Sequence, residues 1–108
     1  MFEERIIQSE GRRISLKEDN IEVGRASLYF LKNDLHKEPF AFLEDVWIRE
    51  EDRGKGFGEK IVQKAINISK KNNCYKLIGT SRNERQKVHK FYKNLGFSDY
   101  GKEFRLDL

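Results

Sequence analysis

Three things are nearly absent from this sequence. Among 108 residues there is one cysteine, Cys74, one proline, Pro39, and no apolar run near the roughly 20 residues that cross a bilayer. A lone thiol allows no internal disulfide and builds no zinc site, so no metal is expected. A reducing cytoplasm is the expected home. The opening residues Met1-Phe2-Glu3-Glu4-Arg5 lack the apolar core of a secretory signal. Membrane and secretory classes are therefore not expected. Repeats, low-complexity tracts and linkers are missing as well, and the length suits one domain over residues 1–108.

What is present is charge and aromatic surface. Charged residues make up 37%, and eight Phe, four Tyr and one Trp supply enough apolar area to argue against disorder. A chain of this size buries roughly two-thirds of its unfolded surface. The net charge of +4 permits a polyanionic partner, either nucleic acid or a small phosphorylated ligand. It does not choose between them, and an ordinary solvated surface carries the same balance.

Hydrophobic periodicity orders the elements. Arg12 to Lys17 reads as a strand with Ile14 and Leu16 on one face, followed by a turn at Glu18-Asp19-Asn20. Ile21 to Leu31 and Phe40 to Ile48, rich in β-branched and aromatic residues, are two more strands around a loop at 33–39. Short connections make this opening an antiparallel meander. From Gly56 the period changes: Phe57, Ile61, Ala65 and Ile68 form a helical stripe to about Lys71, which Asn72-Asn73 ends. Tyr75 to Thr80 is a short strand. Glu84 to Leu95 is a second helix, with Gly96 where a left-handed cap belongs. Phe97 to Tyr100 and Glu103 to Leu108 read as a final strand pair around Gly101. The order β-β-β-α-β-α-β-β is a mixed α/β (α+β) fold whose β-α-β stretch, Phe40 to Thr80, requires a parallel crossover.

The segment Arg53-Gly54-Lys55-Gly56-Phe57-Gly58 joins a strand to a helix. The first turn of a helix carries unpartnered N–H groups and partial positive charge. Glycines let an anion approach, and Arg53, Lys55 and Lys60 add full charges, so a phosphate or pyrophosphate site is expected here. The spacing is neither a P-loop, since no Gly-Lys-Ser/Thr closes it, nor the dinucleotide fingerprint, since the third glycine comes too early.

The run from Glu44 to Gly58 resembles the acetyl-CoA-binding motif of the GNAT superfamily of N-acetyltransferases: Arg53, Gly56 and Gly58 fill its pattern of Gln or Arg, two residues, Gly, one residue, Gly or Ala. The segment from His89 to Phe97 resembles the family's second signature, a Phe-Tyr pair on a helix closing in Leu-Gly-Phe. The two stand in the right order, and the resemblance covers about Arg12 to Leu108. It implies the acyl-CoA N-acyltransferase fold and acetyl-CoA as co-substrate. The CoA pyrophosphate would rest on Gly54, Lys55, Gly56, Phe57 and Gly58 beside Arg53. The pantetheine arm would pair with the strand at Val46, Trp47 and Ile48. Tyr92 matches the general-acid position, and Glu44 resembles a Glu directed toward the acceptor, as base or as an anchor for a cationic acceptor. Strand alternation puts Glu44, Val46 and Ile48 on one face, Asp45 and Trp47 on the other.

Two places depart from the family pattern. Only residues 1–11 precede the first predicted strand, so the helices that usually wall the acceptor site are short or missing, and the partner of a homodimer is one source of that wall. Arg85 stands where many members carry a pantetheine-binding Asn; with His89 it is similar to a subset that has Arg and His at these places. Cys74 is assigned no covalent role, and His36 has no evident partner. The implied function is acetyl transfer to a primary amine by direct attack in a ternary complex. The alternative is a non-catalytic acyl-CoA-binding module of the same fold. Nucleic-acid binding is not expected, for want of an aromatic-basic interleave or a helix-turn-helix pattern. The acceptor itself, small molecule or protein amine, has no readable motif.

Overall fold

β-Branched and aromatic runs become strands where expected. In the computed structural model, which describes residues 1–108, β1 spans Glu10–Glu18, β2 Ile21–Leu31 and β3 Phe40–Ile48. Asp19 and Asn20 close the first hairpin with φ of 50° and 65°. Two positive φ values in a two-residue loop match the right-handed twist of the strands they join, and Asp and Asn tolerate them. β1 with β2 and β2 with β3 pair antiparallel, as the meander predicts.

A 3-10 turn at Glu50–Asp52 leads to the helix α1, Phe57–Lys71. The strand β4, Leu77–Gly79, completes a sheet ordered β1-β2-β3-β4, and α2 spans Gln86–Asn94. Tyr75 N–H donates to Pro39 O and Ala41 N–H to Lys76 O, both at 3.0 Å. The bonds advance in the same direction along both segments, which is the parallel sense a helical crossover allows. No helix is long and apolar enough to cross a membrane.

The chain packs as two units, Met1–Ile78 and Gly79–Leu108. In the first, α1 lies on one face of the sheet. Val23, Ala26, Leu28, Phe30, Ala41 and Leu43 meet Ile61, Val62 and Ala65 there, all buried. Each fully buried large side chain contributes at most about 1.5–3 kcal/mol. Gly24 sets the closeness of helix to sheet: a Cβ on it would stand 2.7 Å from both Ile48 Cδ1 and Ile61 Cδ1. Ser69, buried within α1, satisfies its hydroxyl on Ala65 O at 2.8 Å.

Both helices stop by the same device. Asn73 (φ 58°) follows α1, with Asn73 N–H on Lys70 O and Cys74 N–H on Ser69 O. Gly96 (φ 98°) follows α2, with Gly96 N–H on Lys93 O and Phe97 N–H on Tyr92 O. These paired bonds satisfy carbonyls that a helix end leaves open.

Three expectations need correction. β4 is shorter than Tyr75–Thr80, and α2 starts two residues after Glu84 and ends one before Leu95. The strand pair expected at 97–100 and 103–108 is absent. Tyr100, Phe104, Leu106 and Leu108 are 82% to 114% exposed, so their alternation has no surface to bury against. An isolated pair of strands is marginal without one.

Candidate functional site

β3 changes character at its middle. Ala41 pairs with Phe30 and Leu43 with Leu28, all on the face under α1. The register then slips between Arg25 and Ser27, where one β2 residue faces two of β3. Asp45 absorbs the slip with φ 54°, a left-handed conformation rare inside a strand. Arg25 grips the bulge: its Nε donates to Asp45 Oδ2 at 2.9 Å, and its guanidinium lies 4.7 Å from the Trp47 ring centre.

The bulge overturns the expected faces. Glu44 pairs with Ser27 and Trp47 with Arg25, both on the side of the sheet away from α1. Ile48 pairs with Gly24 and points toward Ile61. Glu44 therefore shares its face with Trp47, and Ile48 lies on the other; the strict alternation that joined Glu44 to Ile48 fails because one extra residue reverses it. Val46 sits half-buried between them. Glu44 is exposed and takes part in no ion pair, unlike its neighbours on the face. Asp45 is held by Arg25. Glu22 is held by Arg13 and Ser15, whose hydrogen bonds lower its carboxyl to about 2.

After β3 the chain turns into α1 through the glycines. Gly54 and Gly56 have φ of 80° and 83°, and a Cβ on either would meet nothing within 4 Å. Glycine is thus required here by backbone conformation, and the space above the loop is open. Gly56 is the N-cap, no side chain caps the helix, and the first helical bond runs from Lys60 N–H to Gly56 O. The N–H groups of Phe57, Gly58 and Glu59 precede that bond and stay outside the helical pattern. An anion suits this end in charge and in hydrogen bonding.

The basic residues around the loop divide. Arg53 turns back, its Nε donating to Ile48 O at 3.0 Å. Lys60 lies over the Phe57 ring at 5.6 Å. Lys55, expected as a free charge on the loop, instead bonds Asp52 Oδ1 at 3.1 Å. Asp52 was not singled out by its sequence context. It is buried, and Arg49 Nε holds its other oxygen at 2.6 Å. Hydrogen bonds from Arg49 and Lys55 hold its carboxyl below the usual aspartate range. An acidic run before a basic loop reads as solvated surface, and only its burial marks Asp52.

The second unit carries two more of the residues expected at the site, Arg85 and Tyr92. Arg85 is the exposed N-cap residue of α2; its carbonyl accepts from Val88 N–H and His89 N–H. Tyr92 stands in the last turn of α2. Its ring packs edge-on against Phe91 and Phe97, centres 5.4 and 5.2 Å away, and faces Gly79 closely enough that a Cβ there would lie 3.5 Å from the ring. The Leu-Gly-Phe signature has a physical reading: Gly96 permits the left-handed cap, and Phe97 folds back on Tyr92. His89 bonds Arg82 O at 2.8 Å and ties the preceding loop to the helix. In the first unit, His36 has a partner after all, stacking on Tyr75 at 4.0 Å. Burial pushes the Cys74 thiol up, which disfavours the nucleophilic thiolate.

The sequence and the fold have counterparts among known proteins. The model of the Acetyltransferase (GNAT) family matches residues 1–97. The chain belongs to the GNAT acetyltransferase family. It is similar to a glucosamine 6-phosphate N-acetyltransferase of Trypanosoma brucei brucei, 36% identical over 66 residues, which is 61% of this chain and 43% of that protein. It is also similar to a thialysine N-epsilon-acetyltransferase of Bos taurus, 29% identical over 67% of this chain and 42% of the relative. The match thus spans less than half the length of either. A Trypanosoma brucei acetyltransferase of solved structure superposes with a TM-score of 0.77 at 28% identity, over 93% of this chain and 69% of the other. The mixed sheet with two helices is the GNAT fold.

Proposed function

We propose that this GNAT chain transfers an acetyl group from acetyl-CoA to a primary amine by direct attack in a ternary complex. What supports the cofactor is the start of α1: three outward N–H groups, two left-handed glycines with open space above them, and the cations of Arg53 and Lys60. When bound, acetyl-CoA supplies the thioester whose C–S bond is exchanged for a C–N bond. Residues 54–58 hold the pyrophosphate through backbone N–H groups. The backbone of Val46, Trp47 and Ile48 accepts the pantetheine arm as an added strand would. Arg85 contributes a further cofactor contact from the start of α2.

Two proton movements complete the reaction. The Glu44 carboxylate takes a proton from the attacking amine, and the Tyr92 hydroxyl gives one to the departing sulfur. Glu44 fits because it is the carboxylate of its face with no cation already bound. A cationic acceptor is drawn to the same group.

The test has two arms. Acetyl-CoA raises the thermal midpoint by mass action, and Gly56→Asp, which puts a carboxylate on the anion site, removes most of that rise. An undiminished rise in Gly56→Asp rejects the loop as cradle. Thiol release from acetyl-CoA across a panel of amines, with mass detection of product, separates an enzyme from an acyl-CoA-binding module. Tyr92→Phe lowers turnover by ~10²-fold or more where chemistry limits the rate. Full turnover in that variant assigns Tyr92 to packing.

A further inference from the structure

Asp52 is the one buried charged side chain of the protein, 7% exposed, and the reaction proposed above does not use it. A carboxylate beside an anion site opposes the ligand, and burying it costs desolvation. The structure offsets that cost with two cations, one per oxygen: Arg49 Nε at 2.6 Å and Lys55 Nζ at 3.1 Å. Arg49 is itself fixed to the sheet, its N–H donating to Val23 O at 2.8 Å. Asp52 N–H returns to Arg49 O at 2.9 Å. A continuous path therefore runs from β2 through Arg49 and Asp52 to Lys55, and Arg53 and Gly54 are enclosed between its ends.

We propose that Asp52 is a positioning residue, a clamp that joins Arg49 to Lys55 and holds the 53–56 turn in the shape that aims the α1 N–H groups at the pyrophosphate. The proposal rests on the cofactor reading above. Lys55 then acts on loop shape, with its charge spent on Asp52 rather than on phosphate. Gly54 and Gly56, with left-handed backbone and no side-chain contacts of their own, cannot hold the turn. The clamp supplies what they lack.

The sign of one substitution decides the matter. Asp52→Asn deletes a negative charge near the anion, so a mere countercharge predicts tighter CoA binding. A clamp predicts weaker binding. The experiment is calorimetric titration of the full chain with coenzyme A, with thermal unfolding of each variant alone. Asp52→Asn is expected to weaken CoA about tenfold, the loss of one charge-assisted hydrogen bond. Asp52→Glu, which keeps the charge, recovers part of the affinity. Lys55→Met weakens CoA to a similar degree with the salt dependence of wild type, and adding it to Asp52→Asn brings no further loss. Equal or tighter binding by Asp52→Asn overturns the clamp, as do additive losses in the double variant. Should Asp52→Asn fail to fold, Lys55→Met carries the test: unchanged affinity, or a reduced salt dependence, overturns the proposal. Binding lost in Gly56→Asp but intact in Asp52→Asn overturns the clamp alone. Wild type that does not bind CoA overturns the cofactor reading, and the clamp with it.

Discussion

The two halves of β3 obey different rules. From Phe40 to Leu43 the strand alternates cleanly, and Ala41 and Leu43 are buried under α1. From Glu44 to Ile48 it carries a bulge, an exposed acid, a residue at φ 54° and a Trp braced by an arginine. The first half is shaped by burial: a slip of one residue would turn its apolar side chains to water. The second half has less to bury, and there the register gives way. Bulges re-aim side chains and concentrate near sites of chemistry. The bulge of β3 does so by bringing Glu44 and Trp47 to one face.

Substitutions at three positions along the strand break or sharpen that contrast. Leu43→Ala should be the most damaging to the fold. A buried leucine cut to alanine costs about 2–5 kcal/mol, read by urea unfolding. A loss under about 1 kcal/mol would show that the first half is not core. Glu44→Gln, one residue on, should leave stability within about 0.5 kcal/mol of wild type, as exposed positions do. Its effect falls on rate, measured with one acceptor and saturating acetyl-CoA. As the base, it loses ~10²-fold at low pH, and high pH restores the rate. As an anchor, it raises KM at every pH and leaves the profile unchanged. No change in KM, rate or profile removes Glu44 from the site.

Asp45→Gly should do least. Glycine relieves a left-handed conformation that costs about 1 kcal/mol, while the lost Arg25 pair, well exposed to solvent, is worth about 0–1 kcal/mol. The two nearly cancel, and turnover should survive. Asp45→Val, β-branched at a positive φ, should unfold at lower urea than Asp45→Gly. Equal midpoints for the two would mean that the bulge relaxes freely and that backbone conformation at Asp45 is unimportant.

Much of this was legible in the residues. β2 and β3 occupy the ranges their β-branched and aromatic runs mark, and α1 starts one residue past Gly56. Gly96 caps α2 as its place after the apolar stripe indicates. The glycine loop was readable because a positive φ in open space demands glycine, and glycine is visible in a sequence. The bulge was not, because Asp45 shows no local mark: its φ is imposed by the pairing of β3 with β2 and by Arg25, twenty positions away. Lys55 was read as a free charge because its partner is marked only by burial. The C-terminal alternation misled for the converse reason. Phe104, Leu106 and Leu108 have the strand period, and no neighbouring surface receives it.

The sequence by itself determined the strands of the meander, α1, the helix caps, the glycine loop before α1 and the family. All of these depend on residue type and short spacing, so a few neighbouring side chains suffice to specify them. The tertiary structure decided which way Glu44 and Ile48 face, that Gly24 admits α1 against the sheet, and that Asp52 is buried between Arg49 and Lys55. Those features are set by contacts between segments distant in the chain or by the local path of the backbone, and neither is written in the identity of any one residue.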